Sequence, residues 1–292
     1  MFRKLAVAFA LTLLASPQLA AQTLIVESIV SPTWVERGGV REPLGAGALL
    51  RDKDKIHTGA GARALLRMAE GRAVKLGENA VLAVDDLLEK KGADARPLVS
   101  AALDVVRGAF RFTTGVFGKQ KAERDVKIRI STVTAGIRGT DVWGKSESER
   151  DIVCLVEGKI AVEHGGKQFT MQEPLSFFIA PRREKPQPVA PVSKEQLDQW
   201  VEETEIRAGS GAMRKDAREG VDVLGTRDHN AAEQSRNKLR TSGFPAQIET
   251  LRDSYGSEEY RVRIGGLAGA KDAQALAAKL KALGFPDAKV AR

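Results

Sequence analysis

Two arginines alternate with apolar residues in Tyr260-Arg261-Val262-Arg263-Ile264, and this is the stretch best suited to recognition chemistry. Period-two spacing puts Tyr260, Val262 and Ile264 on one face of a strand and Arg261 and Arg263 on the other. A guanidinium offers several N–H donors in a fixed plane, so such a pair can make paired hydrogen bonds to hydroxyls or carboxyls. Catalysis finds less support. His57, His164 and His229 sit in turn-like or helix-start settings without metal-ligand spacing. No motif joins a Ser or Cys nucleophile to a histidine. Asp85-Asp86 and Glu258-Glu259 are sequence neighbours, which point to opposite faces of a strand and so do not form a facing acid/base pair. Cys154, the single cysteine, lies in the apolar run Ile152 to Val156 and reads as a small buried hydrophobe rather than a reactive thiol.

The arginine-bearing strand belongs to a repeat. Lys238-Leu239-Arg240-Thr241-Ser242-Gly243-Phe244-Pro245 returns 41 residues later as Lys279-Leu280-Lys281-Ala282-Leu283-Gly284-Phe285-Pro286. The same offset aligns Ala232 with Ala273, and Val221, Val223 and Gly225 with Val262, Ile264 and Gly266. A doubled strand–helix–return strand predicts a split βαβ domain, β-α-β-β-α-β, over residues 220–292. Ala273, Leu276, Ala277, Leu280 and Leu283 form one apolar helical stripe. Gly284 and Pro286 end that helix, as Gly243 and Pro245 end the first. Helices then cover the apolar face of the sheet and leave the Arg261/Arg263 face open.

Tyr260 to Leu267, followed by the Ala273…Leu280…Gly284-Phe285 helix, resembles the SPOR (sporulation-related repeat) family over essentially the whole of residues 220–292. The resemblance implies binding to peptidoglycan glycan strands stripped of stem peptides, which collect where the wall divides, through the open sheet face. The first strand of that family usually reads apolar-Gln-apolar-Gly-Ser-Phe. Here it is Val221-Asp222-Val223-Leu224-Gly225-Thr226, with Asp222 in place of the amide. Asp222, Arg261 and Arg263 are therefore the expected peptidoglycan-binding residues. If they hold no ligand, they form a solvated face with a cross-strand Asp–Arg pair contributing at most about 1 kcal/mol.

The chain has 292 residues, room for two domains and a connection. Its formal charge of +8 is dispersed among acidic residues, and only 5% of residues are aromatic. Without a dense basic run or stacking pattern, nucleic acid is not an expected partner. Residues 1–21 read as a signal peptide: Arg3-Lys4, an apolar Leu5 to Ala15, a break at Pro17, and cleavage near Ala21. No other segment approaches the ~18 apolar residues of a membrane span. The mature protein is thus expected to be soluble and periplasmic, in a Gram-negative envelope.

Residues 22–180 read as an all-β domain, a sandwich or rolled sheet. Short runs such as Ala64 to Met68, Ala73 to Leu76 and Val81 to Val84 alternate with glycine-bearing turns, and further strands are expected at Gly108 to Phe112, Val126 to Ile130, Asp151 to Glu157 and Lys159 to Glu163. Asp85 to Ala102 reads as an insertion or partly helical loop. Asp54-Lys55-Ile56-His57-Thr58-Gly59, Ile137-Arg138-Gly139-Thr140-Asp141-Val142 and Val156 to Val162 resemble the FecR family over nearly the full domain. Arg138 is expected to bond neighbouring carbonyls, Gly139 to allow the turn and Thr140 to close it through its hydroxyl. FecR proteins are periplasmic sensors in iron-uptake signalling, joined through a membrane helix to a cytoplasmic part that handles a sigma factor. Neither part is found in these residues, so a periplasmic β domain of unassigned ligand is what the resemblance implies here.

Residues 181–219 read as a Pro-rich linker with a short helix opened by Ser193-Lys-Glu-Gln196, its Leu197, Trp200 and Val201 face docking back on the β domain. Gly209-Ser210-Gly211 and the charged run to Glu219 read as flexible. The expectation is an exported, non-enzymatic peptidoglycan-binding protein that uses no cofactor and no metal. The alternative is a scaffold that binds an envelope protein through the β domain. The enzyme-class competitor is a cell-wall hydrolase, which muropeptide release from purified sacculi would reveal.

Overall fold

The computed structural model describes residues 24–68, 71–91, 97–114, 124–137 and 140–291. The expected signal peptide, and Arg138 and Gly139 of the Arg-Gly-Thr element, lie outside the described residues. The β domain opens with β1 (Leu24–Val30), β2 (Thr33–Arg37), β3 (Val40–Pro43), β4 (Leu49–Leu50), β5 (Lys55–Thr58), β6 (Arg63–Arg67) and β7 (Ala73–Leu76). It continues with β8 (Val81–Lys91), β9 (Pro97–Thr113), β10 (Arg124–Ile130), β11 (Val133–Ile137) and β12 (Asp141–Ser146). It closes with β13 (Arg150–Glu157), β14 (Ile160–His164), β15 (Lys167–Met171) and β16 (Ser176–Pro181). The connection holds β17 (Ala190–Pro191), α1 (Lys194–Glu202) and β18 (Ala212–Arg214). The C-terminal domain runs β19 (Glu219–Thr226), α2 (His229–Thr241), β20 (Gln247–Arg252), β21 (Glu258–Leu267), α3 (Ala270–Ala282) and β22 (Lys289–Val290), the β-α-β-β-α-β order expected from the repeat.

Two sheets close over the β-domain core. One has the order β3-β2-β5-β8-β9-β10-β11-β14-β15; the other runs β17-β16-β13-β12-β9-β7-β6-β1-β18. Strand β9 serves both, and it changes sheet at Gly108, whose φ is +87°. A Cβ there would stand 2.6 Å from Ala80, so the corner requires glycine. Ile29, Leu66 and Phe112 from one sheet meet Ile56, Leu82 and Ile128 from the other, all essentially inaccessible to solvent. Asp85 to Ala102 is not an insertion or helical loop: its described parts are the end of β8 and the start of β9, paired antiparallel. A register shift between Val84 and Asp86 breaks the alternation that would have marked the strand.

The helix of the connection is capped and docked as expected, whereas the stretch from Gly209 that reads as flexible is instead held in place. Ser193 caps α1 by accepting from the Gln196 amide at 3.2 Å, and Trp200 stacks on Trp143 with ring centroids 4.7 Å apart. Beyond the helix, Glu203 pairs with Lys145 at 3.0 Å, and Glu205 pairs with Lys75 and with Arg111. The Gly209 to Ala212 turn is then held by one side chain of α3. Asp272 Oδ1 accepts from the amides of Gly209, Gly211 and Ala212 at 2.9, 3.1 and 2.9 Å. From there β18 pairs with β1 along Ala212 to Arg214 and meets β21 at Met213 and Leu267, so one sheet runs from the β domain into the C-terminal domain. A second seam lies at residues 31–34. Lys279 Nζ donates to Ser31 O at 2.7 Å, the Thr33 amide to Gly243 O at 3.0 Å, and Trp34 Nε1 to Thr241 O at 3.2 Å.

The Asp54 to Gly59 stretch carries the clearest buried charge. Asp54 has no solvent exposure and accepts from Arg37 Nε and Nη2 at 2.8 and 2.7 Å and from the Arg51 amide at 2.8 Å. Burial alone would raise its carboxyl, but the Arg37 guanidinium and the Arg51 amide outweigh that and hold it below the usual carboxylate range. A depressed native value contributes stability above roughly pH 4 that is lost as pH falls through that native value. Asp54→Asn should therefore lower the unfolding free energy at neutral pH by about 2 kcal/mol, the scale of hydrogen bonds to a charged group. In denaturant titrations the gap between wild type and variant should narrow as the pH drops below about 4; a gap constant with pH contradicts this.

Candidate functional site

The C-terminal sheet has the order β20-β21-β19-β22. Val221, Val223, Val262 and Ile264 are buried together with Ala232 and Leu239 of α2 and Ala273, Leu276 and Leu280 of α3. Leu283, read as the end of the α3 stripe, is instead its exposed C-cap. The helices thus cover one face. On the other, Arg263 lies opposite Asp222 and Gln247, Arg261 opposite Gly225 and Glu249, and Lys289 opposite Asp222. Strict alternation would place Leu224 on this face too. A register shift between Asp222 and Leu224 turns Leu224 back against the core.

The three expected residues come together. Asp222 Oδ2 is 3.9 Å from Arg261 Nε and Asp222 Oδ1 is 3.7 Å from Arg263 Nε. Arg263 Nη1 also reaches Glu249 Oε2 at 3.5 Å. Side-chain exposures of 33% for Arg261, 24% for Arg263 and 14% for Asp222 leave the guanidiniums accessible and the carboxylate recessed between them. The contacts are long for charge-assisted hydrogen bonds, which close at about 2.8 Å. Asp222 Oδ1 has no hydrogen-bond partner at all among the described residues. The face therefore carries accessible guanidinium donors above a carboxylate whose Oδ1 is buried and unpartnered.

Glycine shapes the seat of Arg263. A Cβ on Gly220 would lie 2.7 Å from Arg263 Nε, so the guanidinium rests directly over the α-carbon of β19. Glu249, Gln247, Lys289 and Gly220 were not singled out from the sequence. The Gln247-Ile248-Glu249 alternation carried a usable signal for the first two; Lys289 and Gly220 depend on register across strands, which no local pattern contains.

The other reactive groups are occupied structurally. His57 Nε2 contacts Glu36 Oε2 at 3.1 Å, and burial followed by Arg41 lowers its pKa. His164 Nδ1 contacts Thr132 O at 3.1 Å and His229 packs edge-on against Tyr260. Burial and the nearby Asp141 charge push the Cys154 thiol up to about 12, which leaves it a protonated core residue. Glu258 bonds Tyr260 Oη and Arg252, while Glu259 lies on the opposite face beside Gly225. Asp85 pairs with Arg129. Among the described residues no group of His, Cys, Asp and Glu could hold a metal ion, and no helix is long and apolar enough to cross a membrane. Thr140 does not close its turn as expected: its carbonyl accepts from Thr114, but its own hydroxyl is buried without a partner among the described residues.

Residues 220–292 match the family model described as SPOR domain, and residues 54–161 match the one described as FecR protein. The chain carries a FecR domain followed by a SPOR domain. A SPOR domain supports peptidoglycan binding in general, and a FecR domain is a sensor or interaction module. Neither is a catalytic domain, and both are typical of envelope proteins. No curated protein matches the chain. Two crystal structures of a proposed anti-sigma factor from Parabacteroides distasonis ATCC 8503 are similar in shape. They have 10% and 12% identity and TM-scores of 0.42 and 0.39, covering 78% of this chain in both cases and 91% and 90% of theirs.

The seat of Arg263 on the SPOR sheet can be tested alone. Gly220→Ala should displace the Arg263 guanidinium and shift its Nε–H resonance in a nitrogen-15 spectrum. Stability should change by no more than about 1 kcal/mol, because only the end of a flexible side chain must move. An unmoved Arg263 resonance contradicts this packing.

Proposed function

We propose that the protein is an exported, non-enzymatic component of a Gram-negative envelope. Its SPOR domain holds denuded glycan, the form enriched at division septa, on the helix-free face of its sheet. The FecR domain rides with it in the periplasm as an interaction or sensor module. The observation that carries this reading is the cluster of Arg261, Arg263 and Asp222, two part-exposed guanidiniums spaced too widely from a recessed carboxylate to satisfy it. Arg261 and Arg263 would donate to ring hydroxyls and acetamido carbonyls. Asp222 would accept from a sugar hydroxyl or an acetamido N–H. An amide at that position could both donate and accept, so Asp222 restricts the subsite to groups that bring their own hydrogen.

The exported chain, residues 22–292, should be retained on purified sacculi, and more strongly on sacculi stripped of stem peptides. Arg261→Ala combined with Arg263→Ala should reduce retention about tenfold or more, the loss expected when two charged donors are removed. No muropeptides should appear in the supernatant. Equal retention of the double variant removes the site, and released muropeptides remove the non-enzymatic reading.

A further inference from the structure

The open SPOR face does not stop at the domain edge. A groove of about 310 Å³ lies over Arg263 and Glu249 and is bounded by Arg218. A second, of about 500 Å³, lies between the SPOR sheet and the FecR-domain loop Gly45 to Gly47, with Lys215 on its wall. Both are lined by Gln247 and Gly265, so the two adjoin there as a two-part trough leading off the sheet toward the other domain. At the junction Gly265 contributes no side chain. No heavy atom lies within 4 Å of where its Cβ would stand, and its backbone is not in the left-handed region. The gap is therefore not imposed by chain geometry. Neighbouring Gly266, with φ +79°, is a different case, since its conformation calls for glycine.

Among the described residues each groove carries one cation without a partner, Arg218 in the first and Lys215 in the second. Arg261 and Arg263 each stand within 4.0 Å of a carboxylate of their own domain. Lys215 and Arg218 are exposed, and neither side chain has an ion pair or hydrogen bond among the described residues. The segment Arg214 to Arg218 sets three cations against one carboxylate, Asp216. It is also fixed in place: the Lys215 amide donates to Glu27 O at 3.1 Å and the Ala217 amide to Arg214 O at 3.2 Å. Uncompensated positive charge on a rigid wall favours an anionic group in the groove beside it.

Resting on the glycan reading above, we propose that residues 215–218 and the FecR-domain loop 45–47 form a second subsite for the same strand. The sheet face would read hydroxyl and acetamido groups. The next sugar would lie across Gly265, with Arg218 on the near groove and Lys215 on the far one flanking the lactyl carboxylate that is freed when the stem peptide is removed. Preference for peptide-free glycan is then strengthened by residues outside the SPOR domain, and a bound strand touches both domains.

The test uses residues 22–292 and soluble glycan oligomers stripped of peptides, alongside the same oligomers with their carboxylates reduced to alcohols. Wild type should bind the native oligomer about tenfold more tightly than the reduced one. Lys215→Ala/Arg218→Ala should bind both equally, at the wild-type affinity for the reduced oligomer. Gly265→Gln, which fills the trough without backbone strain, should weaken both. If these variants bind like wild type while Arg261→Ala/Arg263→Ala does not, the sheet site stands and the second subsite is overturned. If wild type binds neither oligomer, the underlying glycan reading fails and takes this inference with it.

Discussion

Asp272 sets the relation between the two halves of the molecule. Its carboxylate is 4% exposed and gathers three consecutive-turn amides, those of Gly209, Gly211 and Ala212, onto one oxygen. The Gly211 and Ala212 amides are buried, and without an acceptor each would cost about 1–3 kcal/mol, so this side chain stabilises the packed connection. Glycine at 209 and 211 makes the convergence feasible, since φ is +79° and +85° there. Gly211 also lies against Leu276, with 3.6–3.8 Å to a Cβ placed on it. Once the turn is seated, β18 is delivered to the edge of β1 and to Leu267, and the sheet continues across the domain boundary.

The consequence is an oriented rather than a tethered binding domain. A flexible connection would let a wall-bound SPOR domain carry the FecR domain at any angle. Here the Asp272 turn, the Trp143–Trp200 stack and the seam at Ser31 to Trp34 hold it at one. The seam depends on Gly243: a Cβ there would fall 2.6 Å from the Trp34 ring, so the glycine that ends α2 also admits the neighbouring domain. Gripping glycan on the sheet face would therefore fix the direction in which the FecR domain is presented in the periplasm. That is the mechanical basis for treating the two domains as one binding body.

The sequence disclosed whatever was locally periodic. The 41-residue repeat, the Val262/Ile264 and Arg261/Arg263 alternation, the Ser193 cap and the docking of Trp200 each rest on a few adjacent residues, and each is found where it was read. What failed was what distant partners impose. Gly209 to Glu219 has the composition of a loose tether, and its order comes from a carboxylate about sixty residues away. Asp85 to Ala102 lost its strand signature to a register shift at Val84/Asp86. Of the proposed binding face, Arg261 and Arg263 were visible through alternation and Asp222 through family resemblance. Gly220, Lys289 and Gly265 became meaningful only when register placed them beside those residues.

Amide hydrogen exchange on residues 22–292 tests the oriented arrangement most directly. If Asp272 holds the turn as described, the amides of Gly209, Gly211 and Ala212 should exchange only through large-scale opening, with protection approaching that of Val262 and Ile264 in the centre of the C-terminal sheet. Exchange of those three amides at the rate of an unstructured peptide, while Val262 and Ile264 remain protected, would show a free tether and contradict the account.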